Sequence, residues 1–224
     1  MLERLAMKEL IIIGGGLAGC EAAWQAARLG VNVLLFEMRP EKTTEAHKTG
    51  SLAELVCSNS LRSKEMNTGP GLLKRELEIA GSLIMNAAKQ AEVSAGSAFA
   101  VDRTIFSGFI TDAIKKHPNI KVIRGEVAEL PDTTAIIATG PLTSAAMTDS
   151  LQSILGEGHL HFYDAIAPII DAESIDYSKA YLSSRYGKGG DDYANCPMNK
   201  EEYDRFYDAL MDADTVAARD FEDI

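Results

Sequence analysis

Two groups of residues in this 224-residue chain have the types and spacing to do chemistry. In the first, Cys57-Ser-Asn-Ser-Leu-Arg62 sets a thiol among hydroxyls, an amide and a guanidinium. A nearby guanidinium favours the thiolate, so Cys57 reads as a nucleophile or cofactor partner, the alternative being a small buried hydrophobe. In the second, the glycine run Gly14-Gly15-Gly16-Leu17-Ala18-Gly19 follows the apolar stretch Leu10–Ile13, and Glu37 ends a second apolar stretch that begins at Val31. Gly14 permits a tight turn after a strand, Gly16 lets backbone N–H groups approach a pyrophosphate, and Gly19 lets a helix pack close to a sheet. The helix N-terminus then faces the phosphate charge. Glu37, roughly 20 residues beyond the turn, sits where a carboxylate accepts hydrogen bonds from both ribose hydroxyls and repels a 2′-phosphate.

These groups need a strand–turn–helix–strand frame, and the sequence supplies one. Residues 16–29 read as the first helix with Gly30 as its C-terminal glycine. Residues 39–70, rich in Pro, Thr, Ser, Asn and Gly, read as a long loop of the kind that is usually functional or disordered. Apolar residues from Leu72 to Ile84 recur at helical spacing and predict one helix from about Gly71 to Gln90. A strand near Ser97–Val101, a helix from about Thr104 to Lys116 and a strand at Ile120–Ile123 follow. Thr134-Ala-Ile-Ile-Ala-Thr139-Gly140-Pro141 reads as a buried strand running into a glycine turn, the element that returns to the cofactor in flavoproteins with two dinucleotide domains. It favours FAD over NAD. Residues 150–224 read as a smaller α+β region with a helix from Lys200 to about Asp220.

Composition narrows the classes. The 46% apolar content is ordinary for a soluble protein, and no apolar run approaches the roughly 20 residues that span a bilayer. Residues 1–9 lack a signal-peptide pattern, which predicts a cytoplasmic protein with no membrane association. Cys20, Cys57 and Cys196 are an odd number without metal-ligand spacing, so neither a disulfide framework nor a metal site is expected. Cys20, just after the glycine turn, and Cys196, before Pro197, both read as packing residues. With 33 acidic against 22 basic residues the net charge is −11, and no global footprint for nucleic acid is visible. The late acidic clusters read as a solvated helix face, interrupted by Arg185, Lys188 and Lys200 near the Tyr-rich stretch Tyr181–Tyr193, a local surface that could meet nucleic acid or folate.

Several longer runs occur together and in order: Gly14–Trp24, Phe36-Glu37-Met38-Arg-Pro40, Ala46–Thr49, Ala53–Ser63, Gly71–Lys74, Gly81–Met85, Ala100–Arg103 and Ile137–Thr143. They resemble the folate- and FAD-dependent tRNA (uracil-5-)-methyltransferases, the TrmFO or Gid family. Ala180–Tyr186, Asn195–Met198 and Glu201–Tyr207 extend the resemblance almost to the end. The run Cys57–Ser63 is more specific than the glycine turn, which the related wobble-uridine modification flavoproteins share.

The resemblance implies an α/β fold: a Rossmann-like FAD-binding domain of the glutathione-reductase type over residues 1–145, with the start of a smaller α+β substrate-side insertion domain over 146–224. Both are expected to be incomplete, since family members are about twice as long. It implies transfer of a one-carbon unit from 5,10-methylenetetrahydrofolate to C5 of a tRNA T-loop uridine, with NAD(P)H as reductant. Cys57 matches the family's loop cysteine against the flavin. Gly14, Gly15, Gly16, Leu17, Ala18, Gly19, Glu37, Met38, Arg62, Thr139 and Gly140 are the expected cofactor contacts. The family's second catalytic cysteine lies in a Gly-Cys-Met-Pro motif not found here, and its role is not carried onto Cys196. The rival readings are a catalytically inactive FAD- or tRNA-binding remnant and a wobble-uridine modification relative.

Overall fold

The computed structural model describes residues 9–155, 170–184 and 190–214. In chain order its elements are β1 (Leu10–Ile13), α1 (Leu17–Arg28), β2 (Val33–Glu37), β3 (Ser60–Ser63), α2 (Gly69–Ile79), α3 (Leu83–Gln90), β4 (Glu92–Val93), β5 (Ala98–Val101) and α4 (Arg103–Lys116). Then come β6 (Ile120–Arg124), β7 (Ala135–Ile137), α5 (Ala145–Leu155), the two-residue strands β8 (Tyr181–Leu182) and β9 (Ala194–Asn195), and α6 (Lys200–Met211). β6, β2, β1 and β7 form, in that order, a four-stranded sheet with every pair parallel. The strand order reverses beside β1, which opens a crevice at the carboxyl ends of the strands. Glu37 and Arg124 stand opposite each other at that end, in the β2–β6 register.

The helices cover the sheet for reasons written in their spacing. Gly19, Cys20, Ala23 and Ala27 are the buried face of α1, and their small side chains bring the helix axis close to the strands. On α4, Phe106, Ile110 and Ile114 recur every fourth residue and are fully buried; Asp102 caps its start, its carboxylate accepting from the N–H groups of Thr104 and Ile105 at 2.9 Å. These residues join Ile12, Val33, Leu35 and Leu83 in one core.

Three expectations need correction. The single helix over 71–90 is two, because Gly81 adopts φ +74° and ends α2 while the Ser82 hydroxyl accepts from Met85 N–H and starts α3. α1 clamps this break: Glu21 accepts from the Ser82 hydroxyl and Ile84 N–H, and Arg28 donates to the carbonyls of Ala80 and Gly81. The loop 39–70 contains β3, which pairs antiparallel with β5 in a small sheet ordered β3-β5-β4. β7 is half-buried and not buried, since among the described residues it pairs with β1 alone and Ile136 is 38% exposed.

α5 starts at Ala145, and its Met147 is buried. The β8–β9 hairpin is tied to the loop before β5 by Tyr193, whose hydroxyl donates to the Ala95 carbonyl at 2.8 Å, and by Asp192, which accepts from Gly96 N–H. α6 opens with a reciprocal Asn199–Glu202 capping box and is exposed along its length, as the acidic pattern predicts. α6 stops at Met211, with Asp212 as its C-terminal cap, so the helix expected to reach about Asp220 is shorter than its sequence suggested; residues 215–220 lie outside the described residues.

Candidate dinucleotide site

The glycine turn joins β1 to α1, and each glycine answers to a different neighbour. Gly14 has φ +106°, and a Cβ there would strike the backbone of Ala138 and Thr139 in the turn after β7. A Cβ on Gly19 would overlap the Gly14 carbonyl, and one on Gly15 would meet Leu52 and the Glu37 carboxylate. Gly16 differs: beyond its own chain neighbours, no described atom lies within 4 Å of its Cβ position, and its backbone is in an ordinary extended conformation. No side chain caps this end of α1, so the first-turn N–H groups of Leu17, Ala18 and Gly19 lack intrahelical acceptors and present the positive end of the helix dipole.

The turn opens onto a cleft of about 570 Å³, counting its solvent-facing mouth. Its floor is Gly14, Gly15 and Gly16; its walls come from the ends of β2 (Phe36 to Arg39), β6 (Gly125 to Val127) and β7 (Ala138 and Thr139), with Met147 and His47 completing it. An anionic diphosphate fits the bare helix end.

Glu37 is nearly enclosed by donors. Gly15 N–H reaches Oε2 at 3.0 Å and Arg39 N–H reaches Oε1 at 3.0 Å, while the Arg39 guanidinium adds Nε to Oε1 at 2.9 Å and Nη2 to Oε2 at 3.1 Å. Burial pushes the Glu37 carboxyl up, but these bonds outweigh it and hold it below the usual carboxylate range. The far side of the guanidinium pairs with Glu54 at 2.8 Å. Arg39, only 2% exposed, is thus the cation between two carboxylates. Burial likewise pushes Glu54 up, and hydrogen bonds from Lys48 and Thr49, with Arg39 beside it, bring it down. Burial and the same guanidinium press the His47 imidazole below its ordinary value.

The expected cofactor residues therefore divide. Gly14, Gly15, Gly16, Glu37, Met38 and Thr139 line the cleft, while Leu17, Ala18 and Gly19 form the helix turn behind its floor. Gly140, at φ +68°, opens the short turn beyond Thr139. Arg62 is exposed on β3 and Cys57 is exposed in the loop before it; neither lines the cleft. Cys20 is buried and its thiol is pushed up to about 12, by burial first and then by the Glu37 charge, which fits packing. Cys196 is exposed, so the packing expected of it is not observed. Arg39, Glu54 and His47 escaped the motif reading, although Arg39 stands within the Phe36–Pro40 run.

The Arg39 pairing makes a stability prediction. Arg39→Met leaves the buried Glu37 and the partly exposed Glu54 without their counter-charge and should destabilise the protein by about 3 kcal/mol near neutral pH, the low end for a broken buried pair. Glu37 and Glu54 are depressed in the native fold, so their contribution is present above the ordinary carboxylate range and is lost as pH falls below it. In the variant the guanidinium's share of this lowering is lost while the backbone N–H bonds and the Thr49 hydroxyl bond remain, so both carboxyls titrate higher than in the wild type and acidification relieves the loss. Urea midpoints should show a gap between the two proteins that is largest at pH 7 and shrinks below about pH 5; a pH-independent gap would contradict the assignment.

A parallel sheet whose order reverses over a glycine turn, with an acid at the end of the second strand, defines a Rossmann-type nucleotide-binding domain. The chain belongs to the family described as glucose inhibited division protein A, whose model matches residues 9–224. Curated relatives include the methylenetetrahydrofolate–tRNA-(uracil-5-)-methyltransferases TrmFO of Aquifex aeolicus, 58% identical over 96% of this chain and 49% of its own length, and of Moorella thermoacetica, 57% identical over the same shares. That of Geotalea uraniireducens is 58% identical over 97% of this chain and 50% of its own. The chain spans about half the length of these relatives. Among solved structures, the peptidyl tryptophan dihydroxylase QhpG is similar with a TM-score of 0.39 and 16% identity, over 60% of this chain and 33% of its own. The fold assignment rests on the sheet order instead. Among the described residues no helix is long and apolar enough to cross a membrane.

Proposed function

We propose that this chain supplies the FAD-binding half of a folate- and FAD-dependent tRNA (uracil-5-)-methyltransferase. The observation that carries this is the cleft over the Gly14–Gly19 turn in a chain 58% identical to TrmFO of Aquifex aeolicus. The uncapped end of α1 would hold the pyrophosphate, Glu37 would face the adenosine ribose, and Met38 and Thr139 would flank the dinucleotide. Bound FAD would supply the redox chemistry that turns a methylene carbon into a methyl group, with NAD(P)H restoring the reduced flavin. The thiol of Cys57 would act beside the flavin, with Arg62 on the strand that follows, and residues 146–224 would begin the unit that meets folate and tRNA. The protein would work in the cytoplasm.

Of the basic side chains suggested for that contact, Arg185 and Lys188 lie outside the described residues. Lys200 is exposed at the start of α6, with its Nζ 4.0 Å from the Asp204 carboxylate. The test is the nucleoside content of tRNA from a strain lacking the gene. Loss of 5-methyluridine from the T-loop, restored by the full-length protein, is expected; an intact T-loop with an altered wobble uridine would contradict the proposal.

A further inference from the structure

We propose that Arg39 is a positioning residue that couples the ribose carboxylate Glu37 to the loop carrying Cys57. This rests on the dinucleotide reading of the cleft. A carboxylate offers about four lone-pair positions, and four donors already engage Glu37. A ribose diol can be accepted there only if a donor gives way. Two of the four are backbone N–H groups, one in the glycine turn and one at the end of β2, so the guanidinium is the donor able to yield.

Its other edge is already engaged. Arg39 Nη1 donates to Glu54 at 2.8 Å and, more weakly, to the Thr49 carbonyl at 3.4 Å. Glu54 in turn gathers the N–H groups of Lys48 and Thr49 and the Thr49 hydroxyl. A guanidinium released from Glu37 shifts its charge onto Glu54, which strengthens that knot. Just before Glu54, Ala53 N–H bonds to the Gly15 carbonyl at 2.8 Å and Leu52 N–H to the Thr111 hydroxyl at 2.9 Å, so the segment is seated on the glycine turn and on α4. Cys57 follows three residues later. Filling the ribose position therefore tightens the loop that presents the thiol.

The probe is ADP, which carries the adenosine ribose and a diphosphate but no flavin ring to shield the thiol. Full-length protein stripped of flavin is alkylated with iodoacetamide with and without saturating ADP, labelling at Cys57 and Cys196 is followed by mass spectrometry, and ADP affinity is measured by calorimetry. ADP should slow labelling of wild-type Cys57 by about fivefold, the low end of coupling between sites, and leave Cys196 unchanged. Glu54→Gln keeps the size and an acceptor oxygen of that side chain; it should still bind ADP, weaker by no more than the roughly fivefold that the lost coupling is worth, yet show no slowing. Arg39→Lys, which cannot bridge both carboxylates with a fork, should lose the slowing as well. Equal slowing in wild type and Glu54→Gln, or none in wild type that binds ADP, overturns the coupling. Failure of every protein to bind ADP overturns the dinucleotide reading itself.

Discussion

Gly16→Val should give a folded protein that purifies without flavin. The substitution places its Cβ where no described atom beyond the chain neighbours lies within 4 Å, in a backbone conformation any residue adopts, so the core is untouched. Loss of a favourable N-cap residue costs about 1 kcal/mol. What the side chain fills is the approach to the bare first turn of α1, where a pyrophosphate would sit. Gly14→Val should behave in the opposite way. Its φ of +106° and the backbone of Ala138 and Thr139 leave no room for a Cβ, so that variant should fail to fold stably. Flavin content per folded protein, with circular dichroism as the control, separates the two effects. A folded Gly16→Val protein with full flavin would remove the pyrophosphate assignment.

Cys57→Ala in the full-length enzyme should keep its FAD and lose methyl transfer on the order of 100-fold or more, the range lost when a group engaged at the reacting centre is removed. The thiol is exposed and lies outside the cleft, so it anchors nothing in the adenosine half of the site. Alkylation of the native protein should spare Cys20, which is buried and protonated up to about pH 12. Exposure does not separate Cys57 from Cys196, and only the functional assay ranks that pair. Flavin loss in Cys57→Ala would make the residue structural.

The nucleotide half of this site was legible because its signals are local. A glycine run between an apolar strand and a helix, and an acid closing the next strand, specify the first β–α–β unit whatever lies around them. Gly81-Ser82 was equally local and was overlooked, because the apolar spacing from Leu72 to Ile84 runs through the break in phase. β3 and the Arg39–Glu54 pair could not be read. A four-residue strand inside a loop rich in Ser and Asn carries no period, and a salt bridge 15 residues apart in sequence depends on how that loop folds back over β2. β7 read as buried from its isoleucines, but burial is decided by what packs on the strand, and among the described residues only β1 flanks it.

The most direct measurement is the fate of the folate carbon. Full-length protein carrying FAD, supplied with NAD(P)H, unmodified tRNA and 5,10-methylenetetrahydrofolate labelled at the methylene carbon, should place the label in 5-methyluridine of the T-loop. Transfer should vanish in Gly16→Val. Unlabelled 5-methyluridine formed from another methyl donor, or labelled product of equal yield from the flavin-free variant, would contradict the account.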